Sequence, residues 1–317
     1  MNDMNEQDIY RPEGLRLGTD ENGAEYGTLA AFEHAMEHGT ILEGRAVRCD
    51  AGHDLLVDLG RYVGVIPFEE AAYSIDGSRV RDIAVITRVG KSVCFTVKGI
   101  EDADGTPRIL LSRREAQKRC FGEYVSHLRS GDIIDARVTH IEPFGAFCDI
   151  GCGLISLLPV DAISVSRIRH PRERMSCGDV IRCAVKDIDT QTGRVTLTMK
   201  ELLGTWEENA ALFAPGETAA GIIRSVEPYG VFVELTPNLA GLAEWCADAV
   251  IGRCAAVYIK SIIPEKMKVK LVIVDSNYTC AKVEKPRYFI ESGHIDTWTY
   301  SPRDCTKEIT TVFGAEE

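Results

Sequence analysis

The sequence predicts a chain dominated by β-structure: three small five-stranded barrels in tandem, joined by short helical linkers and followed by a β-rich tail. Three observations predict it. Short runs of alternating apolar and polar residues recur along the chain, separated by Gly, Pro and Asp turns. One such stretch, "FGAFCDIGCGLISLLP" from 144, has counterparts in "HDLLVDLGRYVGVIP" from 53 and "YGVFVELTPNLAGLAEW" from 229. The spacings are 91 residues from His53 to Phe144 and 85 from Phe144 to Tyr229, the size of whole small domains rather than solenoid units.

The elements follow in order. Residues 1–26 belong to an acidic stretch, with nine acidic and two basic residues over 1–40, and are expected to be disordered. "TLAAFEHAMEHG" predicts a short helix over 27–39. A divergent first barrel covers 40–112, recognisable by "VDLG", "GVIP" and the closing hairpin "SVCFTVKGI…RILLSRREA". A helical linker covers 113–130. The second barrel, 131–200, is the clearest: "DIIDARVTHI", "AFCDI", "LISLL", a long loop, "VIRCAVKDI" and "RVTLTMK" make five strands. Five strands in so few residues fit a closed barrel of the OB type better than a larger sandwich. "ELLGTWEENAALFAP" predicts a second helical linker over 201–215, and the third barrel covers 216–275. Both linkers read as semi-rigid spacers. The tail, 276–317, carries Tyr288, Phe289, Trp298 and Tyr300 and is expected to be partly folded, against the third barrel.

Composition narrows the function classes. A net charge of −12 and a pI near 5.2 argue against a nucleic-acid binder when taken alone. More than half of that excess lies in the first 40 residues, however, and the middle of the chain is balanced. No stretch approaches the ~18 apolar residues of a membrane span, and the N-terminus lacks the pattern of a secretory signal. The eleven cysteines form no Cys-x-x-Cys pair and read as reduced thiols filling core positions in the cytoplasm. No catalytic constellation and no metal-ligand cluster is visible, and no cofactor, small-molecule substrate or membrane partner is expected.

In the second repeat the order GD-x-I-x-A-x-V, then PFGAF-x-DIG-x-GLI, then GRV-x-LT-x-K resembles the S1 RNA-binding motif, an OB-fold module. The tandem arrangement, with "KELLGTWEENAALF" after the second repeat, resembles the bacterial ribosomal protein S1 family in its shorter, Gram-positive form. The resemblance covers about 41–275 and is strongest over 131–245. It implies a non-enzymatic binder of single-stranded RNA, mRNA above all, acting in translation beside proteins of the small ribosomal subunit. It also implies site residues. Phe144 and Phe147 match the base-stacking aromatics of the second barrel, and Tyr229 and Phe232 those of the third. Asp189 and Arg194 match the polar pair at the final hairpin of the second barrel, with one extra residue in the turn. The family's histidine is placed at Ser156 in the second barrel, Glu244 in the third and Pro67 in the first, and the third lacks an Arg at its final hairpin. The first barrel has His53 and Leu56 at the aromatic positions.

Physical chemistry makes the same residues conspicuous. Alternation places Phe147 and Asp149 on the face of their strand that should meet water. An exposed ring there is covered naturally by a base, and such stacking tolerates any sequence. The loop "RIRHPRER" sets Arg167, Arg169, His170 and Arg172 in position to hold phosphates, and Lys268 and Lys270 alternate with apolar residues on the last strand of the third barrel. The competing reading is a protein-interaction adaptor on the ribosome or RNA-processing machinery, favoured by the acidity and the degenerate first repeat. An enzyme is disfavoured: about 40 residues remain after the barrels, with no chemistry-bearing motif.

Overall fold

The computed structural model describes residues 6–75, 77–78, 80–103, 105–189, 192–278 and 286–314. The chain is mostly β, as its alternation predicts, and falls into two compact units. The first comprises residues 1–128 with 149–156 and 189–194; the second comprises 129–148, 157–188 and 195–317.

The first unit opens with α1 (Glu6–Ile9), α2 (Asp20–Ala24) and α3 (Leu29–His38). Thr28 caps α3 by accepting from the Ala31 N–H, and Gly39, in the left-handed conformation, ends it. The sheet contains β1 (Leu42–Cys49), β2 (Leu55–Leu59), β3 (Tyr62–Ile66), β4 (Ser92–Ala103) and β5 (Thr106–Ser112), with α4 (Asp82–Ile86) between β3 and β4. β1 pairs antiparallel with both β2 and β4, while β3 runs parallel to β5. Leu55, Val57, Leu59, Phe95, Ile109 and Leu111 point inward and Phe32 of α3 closes the cluster. α5 (Arg113–Glu123) follows, capped by Ser112.

The described part of the N-terminal arm is not disordered. Tyr10 is buried and hydrogen-bonded to Glu123. Glu13 is buried against Arg113, with an N···O distance of 2.6 Å. The Glu43 carboxylate accepts from the backbone N–H groups of Gly14, Arg16 and Leu17. Acidic composition hid these anchors: Glu13 of the arm itself, with Glu43 of β1 and Glu123 of α5, pins the arm.

The second unit holds two barrels. β6 (Ile133–Glu142), β7 (Gly145–Asp149), β8 (Ile155–Pro159), β9 (Val180–Asp189) and β10 (Arg194–Thr198) form a closed barrel in the order β6-β7-β8-β10-β9. After α6 (Trp206–Ala210) come β11 (Thr218–Glu227), β12 (Gly230–Thr236), β13 (Leu239–Ala243), β14 (Cys254–Ile263) and β15 (Lys268–Tyr278), closed in the corresponding order β11-β12-β13-β15-β14. The tail adds a ribbon of β16 (Thr297–Thr299) and β17 (Thr310–Val312).

The linkers are not spacers. α5 buries Arg113, Ala116, Gln117 and Cys120, and α6 buries Trp206, Asn209 and Ala210. Trp206 joins Ile223, Val231, Leu271, Trp298, Tyr300 and Phe313 in one core, so the tail packs on the third barrel. It also reaches the second, where the Arg182 N–H donates to Tyr288 Oη at 2.9 Å. Cys94, Cys120, Cys148, Cys152 and Cys183 are buried, as read, but Cys254 is disulfide-bonded, against the expectation of reduced thiols throughout.

Candidate nucleic-acid interface

The strand registers place an equivalent row on each sheet, although Val65 of the first is buried. In the first it runs Arg48–Leu56–Val65–Leu110 across β1, β2, β3 and β5. In the third barrel it runs Ser225–Phe232–Leu242–Lys270 across β11, β12, β13 and β15. In the second barrel Leu157 faces Thr196 across β8 and β10, and the His140 ring on β6 lies 6.1 Å from Phe147 on β7. Glycines confirm the equivalence. A Cβ on Gly145 would lie 2.6 Å from Leu158 O, and one on Gly230 would lie 2.4 Å from Ala243 O.

On this row stand the aromatic pairs expected from the sequence. Phe144 is 57% exposed and meets the half-buried Phe147 edge to face, centroids 6.0 Å apart at 89°. Tyr229 is 68% exposed and meets Phe232 in the same way, at 6.3 Å and 88°. Each pair has its first ring in the turn and its second two residues after the glycine that opens the strand, a placement the PFGAF and PYGVF segments share. Edge-to-face packing holds each second ring and leaves the face of the first open. His140, also donating to or accepting from Glu142 at 2.6 Å, was not singled out from the sequence. Alternation with the buried Ala136 and Val138 would have set it inward; β6 breaks its alternation at Thr139–His140, where both residues are exposed.

The common register corrects two assignments. Leu158 and Ala243 are equivalent, so the counterpart of Glu244 is Pro159 and not Ser156, which is buried. The first sheet has Pro67 there, and no chain position offers the family's histidine at this place. Thr196 and Lys270 are likewise equivalent, so Lys268 stands where Arg194 stands. The third barrel therefore keeps a cation at its final hairpin, and Arg108 fills the position in the first sheet. Lys268 and Lys270 are both exposed, and Lys270 lies directly across from Leu242.

Asp189 and Arg194 are exposed at the ends of β9 and β10. The Asp189 carboxylate accepts from Thr192 N and Thr192 Oγ1, at 3.1 and 2.6 Å, so its turn occupies much of its capacity. Asp149 does not share the wet face with Phe147. It is buried within the first unit, where it accepts from Glu13 N, Gly151 N and Gly153 N. β7 ends at that residue and the chain turns, which breaks the alternation.

The basic loop divides. Arg167, Arg169 and Arg172 are exposed. His170 is a helix cap: its Nδ1 accepts from the Arg172 N–H at 3.2 Å, and Glu173 completes the capping box. Arg174, the fourth arginine, turns inward and pairs with Glu234 at 2.5 Å. Arg224 pairs with Glu234 and with Glu173. Ser166 N donates to Pro237 O, so the loop lies against the third barrel. Among the described contacts none joins its arginines to Phe144 or Phe147.

Residues 127–200 match the family model of the S1 RNA binding domain. Small ribosomal subunit protein bS1 of Staphylococcus aureus is 28% identical over 216 residues, covering 67% of this chain and 52% of that protein. The bS1 of Leuconostoc lactis is 33% identical over 213 residues, covering 66% of this chain and 47% of that protein. The chain thus spans about half the length of these relatives. A crystal structure of a multidomain protein with nucleic acid binding domains from Streptococcus pneumoniae aligns over 74% of this chain and 73% of that one, at 14% identity and a TM-score of 0.24. Residues 127–200 therefore belong to the S1 RNA-binding domain family, in a chain similar to bacterial small ribosomal subunit protein bS1.

Proposed function

We propose that the chain is a non-enzymatic binder of single-stranded RNA, using tandem S1-type modules to associate with mRNA and the small ribosomal subunit in the cytoplasm. The observation that carries this is the repeated pair. Two barrels present an open ring braced edge-to-face by a second ring, at equivalent positions of the same row. A ring left open to water loses hydrophobic stabilisation, and a stacked base restores it whatever the base is. Arg194 and Lys268 lie two residues from the row on the adjoining strand, where cations neutralise phosphates. His140 adds a third ring against Phe147. The names of the relatives, small ribosomal subunit proteins bS1, support the setting in translation. No helix among the described residues is long and apolar enough to cross a membrane.

The first sheet is a diverged copy of the same module. It keeps the strand order and a cation, Arg108, but has Leu56 where the second ring stands. It exposes Val47, Val63 and Ile83 at 51%, 52% and 62%, which favours a protein-docking role for this copy alone.

The test is fluorescence anisotropy with a labelled single-stranded RNA of about 15 nucleotides. Phe144→Ala with Phe147→Ala is expected to lose roughly 2 kcal/mol, about thirtyfold in affinity. Unaltered affinity in the double variant removes the second barrel from the interface. Failure of the native chain to bind at low salt leaves the adaptor reading.

A further inference from the structure

Trp245 is 59% exposed and lies two residues past the end of β13. Nothing in the S1 motif asks for it: the counterpart in the second barrel is Val160 and in the first sheet Phe68. Its place is set by the repeat. β12 and β13 pair as Phe232↔Leu242 and Val231↔Ala243, and two residues further this register sets Trp245 opposite Tyr229. The other copies show where such a residue lies. Val160 N donates to Phe144 O at 2.9 Å, beside the ring equivalent to Tyr229. In the first sheet the Phe68 ring lies 5.9 Å from His53, which holds the same position again.

We propose that Trp245 is a third base-stacking residue of the last barrel, extending the Tyr229–Phe232 platform toward the β13 end. This rests on the reading of that face as an RNA interface. The occupant is a single strand of nucleic acid, argued from charge and from continuity. Lys268 and Lys270 are exposed on β15, across Leu242 from Phe232, and can take the phosphates. Glu244, also exposed, repels phosphate on the Trp245 side, so only the base end of the strand fits there. The third barrel then binds by stacking and cations alone, because Glu244 has replaced the family's polar contact. It takes any unpaired sequence. Among the described Phe, Tyr and Trp residues, Tyr229 alone is more exposed than Trp245.

The chain supplies its own probe. It has three tryptophans, and the other two, Trp206 and Trp298, are 2% and 4% exposed. A fluorescein-labelled oligouridine of about 12 nucleotides is titrated into the full chain, read by anisotropy and by tryptophan emission together. The expected result is binding with quenched emission at the same midpoint, quenching abolished in Trp245→Phe, and affinity lowered about fivefold or more in Trp245→Ala. Because Trp245 is exposed, the melting temperature of both variants stays at the native value. Binding without quenching, or unaltered affinity in Trp245→Ala, overturns the assignment and leaves the RNA reading standing. No binding by the native chain overturns both.

Discussion

At Asp149, a single carboxylate shows what burial does to an alternating strand. Burial first, and then the nearby Glu13 carboxylate, push Asp149 up to about 7. Glu13 is affected oppositely: burial raises it, but the charge and hydrogen bonds of Arg113, with Arg88 at 3.7 Å, bring it below the ordinary range. The two carboxylates compete for one guanidinium and Glu13 wins it, at 2.6 Å. Between pH about 4 and about 7 the folded chain keeps a proton on Asp149 that the unfolded chain releases. The stability this group contributes is therefore complete below about pH 4 and is lost as pH rises through 7, by at most about 1.4 kcal/mol per pH unit. Asp149→Asn is expected to flatten that fall. Urea midpoints at pH 5 and pH 7.5 read it, and an unaltered slope would show that another group carries the dependence. The depressed Glu13 acts in the opposite sense and in a lower window, its contribution being lost only as pH falls below the ordinary carboxylate range.

Elements succeed or fail here on close approach. Gly145 and Gly230 open β7 and β12 where a Cβ would strike the backbone oxygen of the neighbouring strand, at 2.6 and 2.4 Å. Gly145→Ala would push β7 from β8 and move Phe144 with it, at a cost of about 1–3 kcal/mol. Gly122 in α5 has nothing within 4 Å of its would-be Cβ. There, Gly122→Ala is expected to stabilise by up to about 1 kcal/mol. Thermal melts of the two variants should move in opposite directions, and a neutral Gly145→Ala would contradict the register drawn for β7 and β8. The same scale explains what could be read beforehand. Strand alternation and turn residues located β6 through β15, because a half-buried strand must alternate and a tight turn needs Gly, Pro or Asp. The linker helices were placed but misread as spacers. Trp206 and Cys120 look the same in sequence whether they face water or a core.

Within the second unit, two barrels are joined by charge and by the tail. Glu234 is buried and serves both Arg174 from the loop and Arg224 from β11, at 2.5 and 2.8 Å. Burial lowers Arg174 and Arg224 repels it, with Glu234 opposing both. Glu234→Ala would leave two largely buried guanidiniums without their shared partner, a loss of roughly 3–5 kcal/mol. Denaturant unfolding monitored by the buried Trp206 and Trp298 measures it, and a loss under about 1 kcal/mol would mean the pair adds only what surface ion pairs add. The semi-rigid spacer expected between these barrels gives way to direct contact through Arg174, Arg224 and Glu234.

The sequence by itself determined the mostly β character, the second and third barrels with their order, and the identity of the aromatic pairs, because those depend on alternation, turn chemistry and residue type, all of which are local. Only the tertiary structure decided which charges meet water. Glu13, Glu43, Asp149, Arg174 and Glu234 look like solvated groups in the sequence and are buried partners in the fold. The row that sets Lys268 with Arg194 and Pro159 with Glu244 also depended on it, since strand register is a relation between segments. Local sequence carries no record of the residue that will lie opposite.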